Sequence, residues 1–166
     1  MSTNNLQNEE AIAKLKELAE SIDVAMLATN LQHTPFHTIP MSTKMVDNYG
    51  NIWFLSARDS EHNSYIQQNN NVQLMYGQPN TMSFMTVYGK ASISTDKEVI
   101  EELYSTVDDN WFDGVDDPNV SAIKVQPQEA HYWDTKYGKL VAMLKIAQGA
   151  ITGNSPDLGE EGDLKV

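Results

Sequence analysis

Four histidines are the side chains of this sequence whose type ordinarily titrates near neutrality, and no cysteine accompanies them. The lack of cysteine excludes disulfides, thiolate nucleophiles, zinc ribbons and iron–sulfur clusters together. His33 and His37 are four residues apart, but Pro35 lies between them, so they cannot share a helical face as a metal-binding pair would. His33 reads as a solvated turn residue, and His131 as a strand residue beside Tyr132 and Trp133. The carboxylates Asp108, Asp109, Asp113, Asp116 and Asp117 lack the alternating spacing of an EF-hand loop and read as a solvated acidic loop. No glycine-rich dinucleotide fingerprint, phosphate loop or Gly-x-Ser-x-Gly elbow is present. No metal is expected, and no catalytic acid or base stands out. What is abundant is flat or polarisable: Trp53, Trp111, Trp133, Met41, Met45, Met75, Met82 and Met85. Such groups stack on a planar ligand, although at strand spacing they ordinarily fill a core.

The bulk properties narrow the partners. A chain of 166 residues is the size of one domain. Its net charge of -12 and pI near 4.5 repel phosphate backbones, so neither nucleic acid nor an anionic membrane is an expected partner. The apolar run over 140–147 is broken by Lys145 and falls well short of the ~20 residues that span a bilayer. The first residues lack the basic start and apolar run of a secretion signal, which gives a cytoplasmic expectation.

The elements that must position these side chains follow from periodicity. Ile12, Leu15, Leu18 and Ile22 recur at helical spacing and predict an amphipathic helix over 8–21. Strands are predicted over 24–29, 38–47 and 51–56, the last two joined as a hairpin through Tyr49-Gly50-Asn51. Asp59 or Ser60 caps a short polar helix that runs to Asn69. Strands over 72–76 and 82–94 follow, with Gly89 marking a bulge or a close backbone approach. Thr95 or Asp96 caps a helix over 96–104, and the acidic loop then carries Trp111 and Phe112, large aromatics expected to dock somewhere. The last strand covers 121–133, a third amphipathic helix covers 139–148, and a Gly- and acid-rich tail reads as mobile from Gly153 onward. Six strands with helices outside their series describe a mainly β fold, an antiparallel barrel with flanking helices, over residues 1–150, with an acidic tail over 151–166.

Read in order, Val24-Ala25-Met26-Leu27-Ala28-Thr29, Ile39-Pro40-Met41, Ile52-Trp53-Phe54-Leu55-Ser56, Asp59-Ser60, Val87-Tyr88-Gly89-Lys90-Ala91, Trp111-Phe112, Asp116-Asp117-Pro118 and Glu129-Ala130-His131-Tyr132-Trp133 resemble the general stress protein branch of the pyridoxamine-phosphate-oxidase-like family. The tail residues Thr152 to Glu160 are similar to the end of that family as well. The resemblance implies a six-stranded split barrel that forms a homodimer with FMN in a groove between subunits. It implies that Thr38, Ile39, Pro40 and Met41 lie along the isoalloxazine ring, that Ser56, Ala57, Arg58, Ser60 and His62 surround the ribityl phosphate, and that Trp111 and Trp133 come from the partner subunit. A phosphate at a helix start is physically sensible, because unpaired amides there favour an anion.

The sequence departs from the family pattern at two positions. Many relatives carry Arg immediately before the Pro-Met pair and Lys two residues after the Ser of the Asp-Ser pair, where this chain has Ile39 and His62. Each lost charge-assisted hydrogen bond is worth roughly 1.5–3 kcal/mol, and Arg58, His62 and His37 are the nearby replacements. The resemblance implies an FMN-dependent oxidoreductase acting with a small-molecule electron donor or acceptor. The alternatives are a flavin-binding module without turnover, or a scaffold reused for haem or a deazaflavin. Pyridoxamine-phosphate oxidase activity itself is not expected, because the C-terminal segment lacks the basic residues for a phosphorylated substrate.

Overall fold

The computed structural model describes residues 1–135 and 159–166. The helix expected over 139–148 lies outside them. In chain order the elements are β1 (Ser2–Thr3), β2 (Leu6–Gln7), α1 (Asn8–Ile22), β3 (Val24–Thr29), β4 (His37–Ser42), β5 (Met45–Val46), β6 (Ile52–Ala57), α2 (Glu61–Gln68), β7 (Asn71–Gln78), β8 (Ser83–Ser94), α3 (Lys97–Leu103), a 3-10 helix (Thr106–Asn110), β9 (Val120–Thr135) and β10 (Gly159–Lys165). The fold is mainly β with flanking helices, as expected, but the described residues form ten strands where six were expected.

The four additional strands have two origins. The single strand expected over 38–47 divides at Thr43-Lys44 into β4 and β5. The other three are β1, β2 and β10, whose sequences show no apolar alternation. They are strands because the outer half of β9 has an open edge that β10 fills antiparallel, and β1 and β2 then pair parallel to β10. The expectation of a mobile tail is therefore corrected for 159–166: Gly159–Lys165 sits inside the sheet, and Leu164 is buried in the core.

The expected barrel is not closed by hydrogen bonds. The sheet runs β1-β10-β9-β8-β7-β3-β4, with β6 on the inner half of β9 and β5 on β6. Among the described residues β4 pairs with β3 alone, and its second edge has no strand partner. The chain itself crosses the gap: the Thr43 amide donates to the Asp23 carbonyl (2.8 Å) and the Lys44 amide to the Trp53 carbonyl (2.8 Å). Thr43 thus ends the ladder with β3, and Lys44 begins the one with β6. The bulge expected at Gly89 is present opposite Pro127, whose missing N–H breaks the ladder. A Cβ at Gly89 would lie 2.4 Å from the Gln126 carbonyl oxygen, so only glycine allows this approach.

Alternate residues of β3, β7, β8 and β9 point inward, where Leu27, Leu74, Val87 and Tyr132 join Leu15, Leu18 and Ala19 of α1 in one core. Lys14 on α1 reaches from that face to Asp134 (2.6 Å), which also accepts from the Ser83 hydroxyl (2.7 Å). Burial alone would raise the Asp134 carboxyl, but Lys14 and Ser83 hold it below the usual carboxylate range. A smaller cluster of Leu55, Ile100, Leu103, Val120 and Ala122 receives Phe112, which anchors the acidic loop. Trp111, also expected to dock, remains 71% exposed.

Candidate functional site

The site is built around β4 and what stands at its two ends. Ile39 and Met41 turn toward the core and are half-buried, while Pro40 faces solvent. A proline is tolerated here because an edge strand does not need every amide for a ladder.

At the start of β4 stands α2. Ser60 caps it, accepting from the Asn63 amide (3.4 Å), and Ser60 Oγ lies 3.0 Å from His62 Nε2. The His62 ring stacks at 18° on that of His37, the first residue of β4, with centroids 6.4 Å apart. His37 also lies near Tyr65 (5.5 Å between ring centroids) and 3.6 Å from a Glu61 carboxylate oxygen. Burial, and then the neighbouring His37, lower the His62 pKa below the ordinary histidine value. Arg58 is exposed and spends one of its five donors on the Pro118 carbonyl (2.9 Å).

Ser56 is placed differently from its neighbours. Its hydroxyl is buried and donates to Asn63 Oδ1 (3.0 Å). Asn63 Nδ2 donates to the Ala57 carbonyl (3.0 Å) and to Ser121 Oγ (2.9 Å), and Ser121 donates back to the Ser56 carbonyl (3.0 Å). This closed network ties the end of β6, the start of β9 and the first turn of α2 together. Ser56 thereby holds the loop through Ala57, Arg58 and Ser60, and its hydroxyl does not face outward.

At the far end of β4 a groove of about 580 Å³ opens between Pro40 and Met41 on one side and Val107 of the 3-10 helix and Trp111, just beyond it, on the other. Lys44 crosses its wall, donating to both carboxylate oxygens of Asp108 (2.9 and 2.7 Å) and to Ser105 Oγ (3.2 Å). Burial would raise the Asp108 carboxyl, but the Lys44 and Ser105 hydrogen bonds hold it below the usual range. Below the kink, Thr43 Oγ1 meets the Tyr76 hydroxyl at 2.9 Å, and burial drives the Tyr76 pKa well upward.

Thr38, Ile39, Pro40 and Met41 thus share one strand, with Ser60 and His62 at its start and Trp111 of the same chain at its end. Trp133 does not join them: it lies on β9, four places along the sheet from β4, against His131 at 4.5 Å. Lys44 and Asp108 were missed as a pair. The available signal was Lys44 itself, the lone Lys or Arg between Lys16 and Arg58 in an acidic chain. Among the described residues no group of three or more His, Cys, Asp or Glu could hold a metal, and no helix is long and apolar enough to cross a membrane.

An open β sheet with helices outside it and an edge strand joining a helix start to an aromatic-walled groove places the chain in a known class. The profile of the pyridoxamine 5'-phosphate oxidase like family matches residues 10–157, and the chain belongs to this family, in its general stress protein branch. It is 27% identical to general stress protein 26 of Bacillus subtilis (strain 168) over 81 residues, which are 47% of this chain and 58% of that protein. The chain therefore spans little more than half of that relative. A crystal structure named for general stress protein 26, from Jannaschia sp. CCS1, superposes with a TM-score of 0.77 at 25% identity, covering 96% of this chain and 100% of that one. The general stress FMN/FAD binding protein of Xanthomonas citri shares the fold, with a TM-score of 0.65 at 21% identity over 77% of this chain and 90% of that one.

Proposed function

We propose that this chain binds FMN along β4 as a homodimer and serves as a flavin-dependent oxidoreductase in a stress response. The observation that carries the reading is the continuity of β4, in a chain of this family, from the Ser60–His62 end to the Trp111 groove. The name of the Xanthomonas citri relative, an FMN/FAD binding protein, supports the flavin.

The residues present fit the cofactor with one reassignment. The first-turn amides of α2, Ser60, the free donors of Arg58 and the His37–His62 pair suit a phosphate, and Thr38 to Met41 offer a free edge to a ring. Ser56 acts behind them by fixing the loop. When bound, FMN supplies the hydride or electron chemistry, and the protein supplies position and electrostatics.

A homodimer is supported by the outward face of the sheet. Val24, Met26 and Pro40 are exposed there, and Met75, Phe84 and Trp133 lie half-buried at alternating register on the same side. An apolar face of this kind ordinarily meets another protein surface, and a second copy of this chain is the partner we propose for it.

The test is an absorbance spectrum of the purified protein before and after adding FMN, with light scattering for mass. A flavin band and a mass of two chains are expected, and bleaching by a reduced nicotinamide would support turnover. No flavin uptake by either route removes the cofactor claim, and a monomer that takes up FMN removes the shared site.

A further inference from the structure

The acidic loop carries five aspartates, and one of them is placed unlike the rest. Asp108 is held by Lys44 (2.7 Å), Asp109 accepts from the Tyr104 hydroxyl (2.8 Å), and Asp116 pairs with Lys97 (2.6 Å). Asp117 accepts from the Asp113 and Asn119 amides (3.0 and 2.8 Å). Among the described residues no hydrogen bond or ion pair holds the Asp113 carboxylate, and the residue is exposed. Asp113 precedes Gly114, the one Asp-Gly step in a sequence that has no Asn-Gly step. Gly114 takes φ +91°, and a Cβ placed on it would meet nothing within 4 Å beyond its chain neighbours. The preceding side chain therefore reaches an uncrowded main-chain nitrogen on the residue type that turns most freely.

We propose that Asp113-Gly114 is a site of isoaspartate formation in the folded chain, a covalent modification that adds one methylene to the main chain of the acidic loop. The Gly114 nitrogen bonds to Asp113 Cγ, the bond from Cγ to its hydroxyl oxygen breaks, and that hydroxyl leaves with the amide proton as one water. Water then opens the five-membered ring. Opening at Cγ restores aspartate, whereas opening at the main-chain carbonyl of Asp113 leaves Gly114 joined through Cγ and the former main-chain carbon as a free carboxylate. Nothing is oxidised or reduced. The added methylene falls inside a turn that Asp117 closes, since the Asp117 amide donates to the Gly114 carbonyl (3.1 Å) and its carboxylate takes the Asp113 amide. Asp117 also holds the Asn119 amide, and Asn119 accepts from the Arg58 amide (2.7 Å) and donates to Asp59 (3.0 Å). The modified loop thus loosens its hold on the segment before α2. The modification does not depend on the flavin reading.

The test is a warm incubation of the full chain in neutral buffer, folded and in guanidinium chloride. Isoaspartate is then located by electron-driven fragmentation of its peptides and counted by an isoaspartate-specific carboxyl methyltransferase. Product at Asp113 is expected to form about tenfold faster than at Asp108, Asp109, Asp116 or Asp117, each of which must first give up a hydrogen bond. The Gly114 amide donates to the Tyr104 hydroxyl, so the folded chain is expected to react more slowly than the unfolded one, by no more than about tenfold. Asp113→Glu keeps the charge on an exposed residue but cannot close a five-membered ring, and product should vanish from that position. In converted chains the Arg58 amide should exchange its hydrogen about tenfold faster. A folded rate more than about tenfold below the unfolded one, equal rates at the five aspartates, or product persisting in Asp113→Glu overturns the proposal. Unchanged exchange at Arg58 overturns its consequence for the loop.

Discussion

At the start of β4, His37 faces His62 across 6.4 Å and the charge available to a ligand depends on protonation, whereas at its end Lys44 is held by Asp108 at 2.7 Å and its charge is already spent. Both ends carry cationic side-chain types, yet at the first the His62 charge varies with pH, appearing only below the ordinary histidine range. The strand therefore has one end whose charge varies with pH and one that is fixed and self-neutralised. The contrast arises from burial and partners rather than from composition, because each end draws on side chains of other elements: α2 at one, the 3-10 segment at the other.

The sharpest way to break the first end is Asn63→Ala. It leaves Ser56, Ser121 and the Ala57 carbonyl without a shared partner in a buried position, and about 3 kcal/mol of stability should be lost in a urea titration. An unchanged midpoint would mean the network does not hold the loop. Lys44→Met tests the second end: an uncompensated, nearly buried Asp108 should cost about 2 kcal/mol at pH 7. Asp108 is depressed in the fold, so the pair's contribution is full above the ordinary carboxylate pKa and disappears as pH falls through the depressed one. Wild type and variant should accordingly converge in strongly acidic solution, and a constant gap would place the effect elsewhere.

Smaller effects concern ligands. His62→Lys supplies the fixed cation that this chain lacks, and FMN should bind about tenfold more tightly at pH 8. Because the His62 pKa is lowered, wild type gains its own charge only below the ordinary histidine range, so the ratio of the two affinities should shrink toward pH 5. A ratio independent of pH would remove His62 from the phosphate end. Trp111→Ala should change stability least, by less than about 0.5 kcal/mol, since the indole is mostly exposed. A larger loss by thermal melting would show that Trp111 docks after all.

Much of the scaffold was legible because local signals and tertiary demands agree. β3 occupies the expected residues, α1 ends one residue beyond its predicted limit, and the caps at Ser60 and Asp96 are where short polar side chains precede helical turns. What escaped depends on distant partners. β10 is Gly- and acid-rich and becomes a strand only through β9, and the break at Thr43-Lys44 reflects two sheet edges that no local pattern announces. In the site, β4 and the α2 cap were readable from local pattern, the cap from Ser60 before a helical turn. The inward turn of Ser56 was not, because it depends on Asn63 and on Ser121, 65 residues away in sequence.

The parallel seam of β1 and β2 on β10 also bears on the order of folding. Ser2 finds its register opposite Glu160, and Leu6 opposite Leu164, so ordering the first residues requires closing a loop that spans nearly the whole chain. Loop-closing entropy makes such contacts late and readily reopened. In hydrogen exchange, amides of β1, β2 and β10 should lose protection together and well before those of β7 and β8. The opening phrase of the sequence and its closing one would then behave as a single clasp, fastened last and released first.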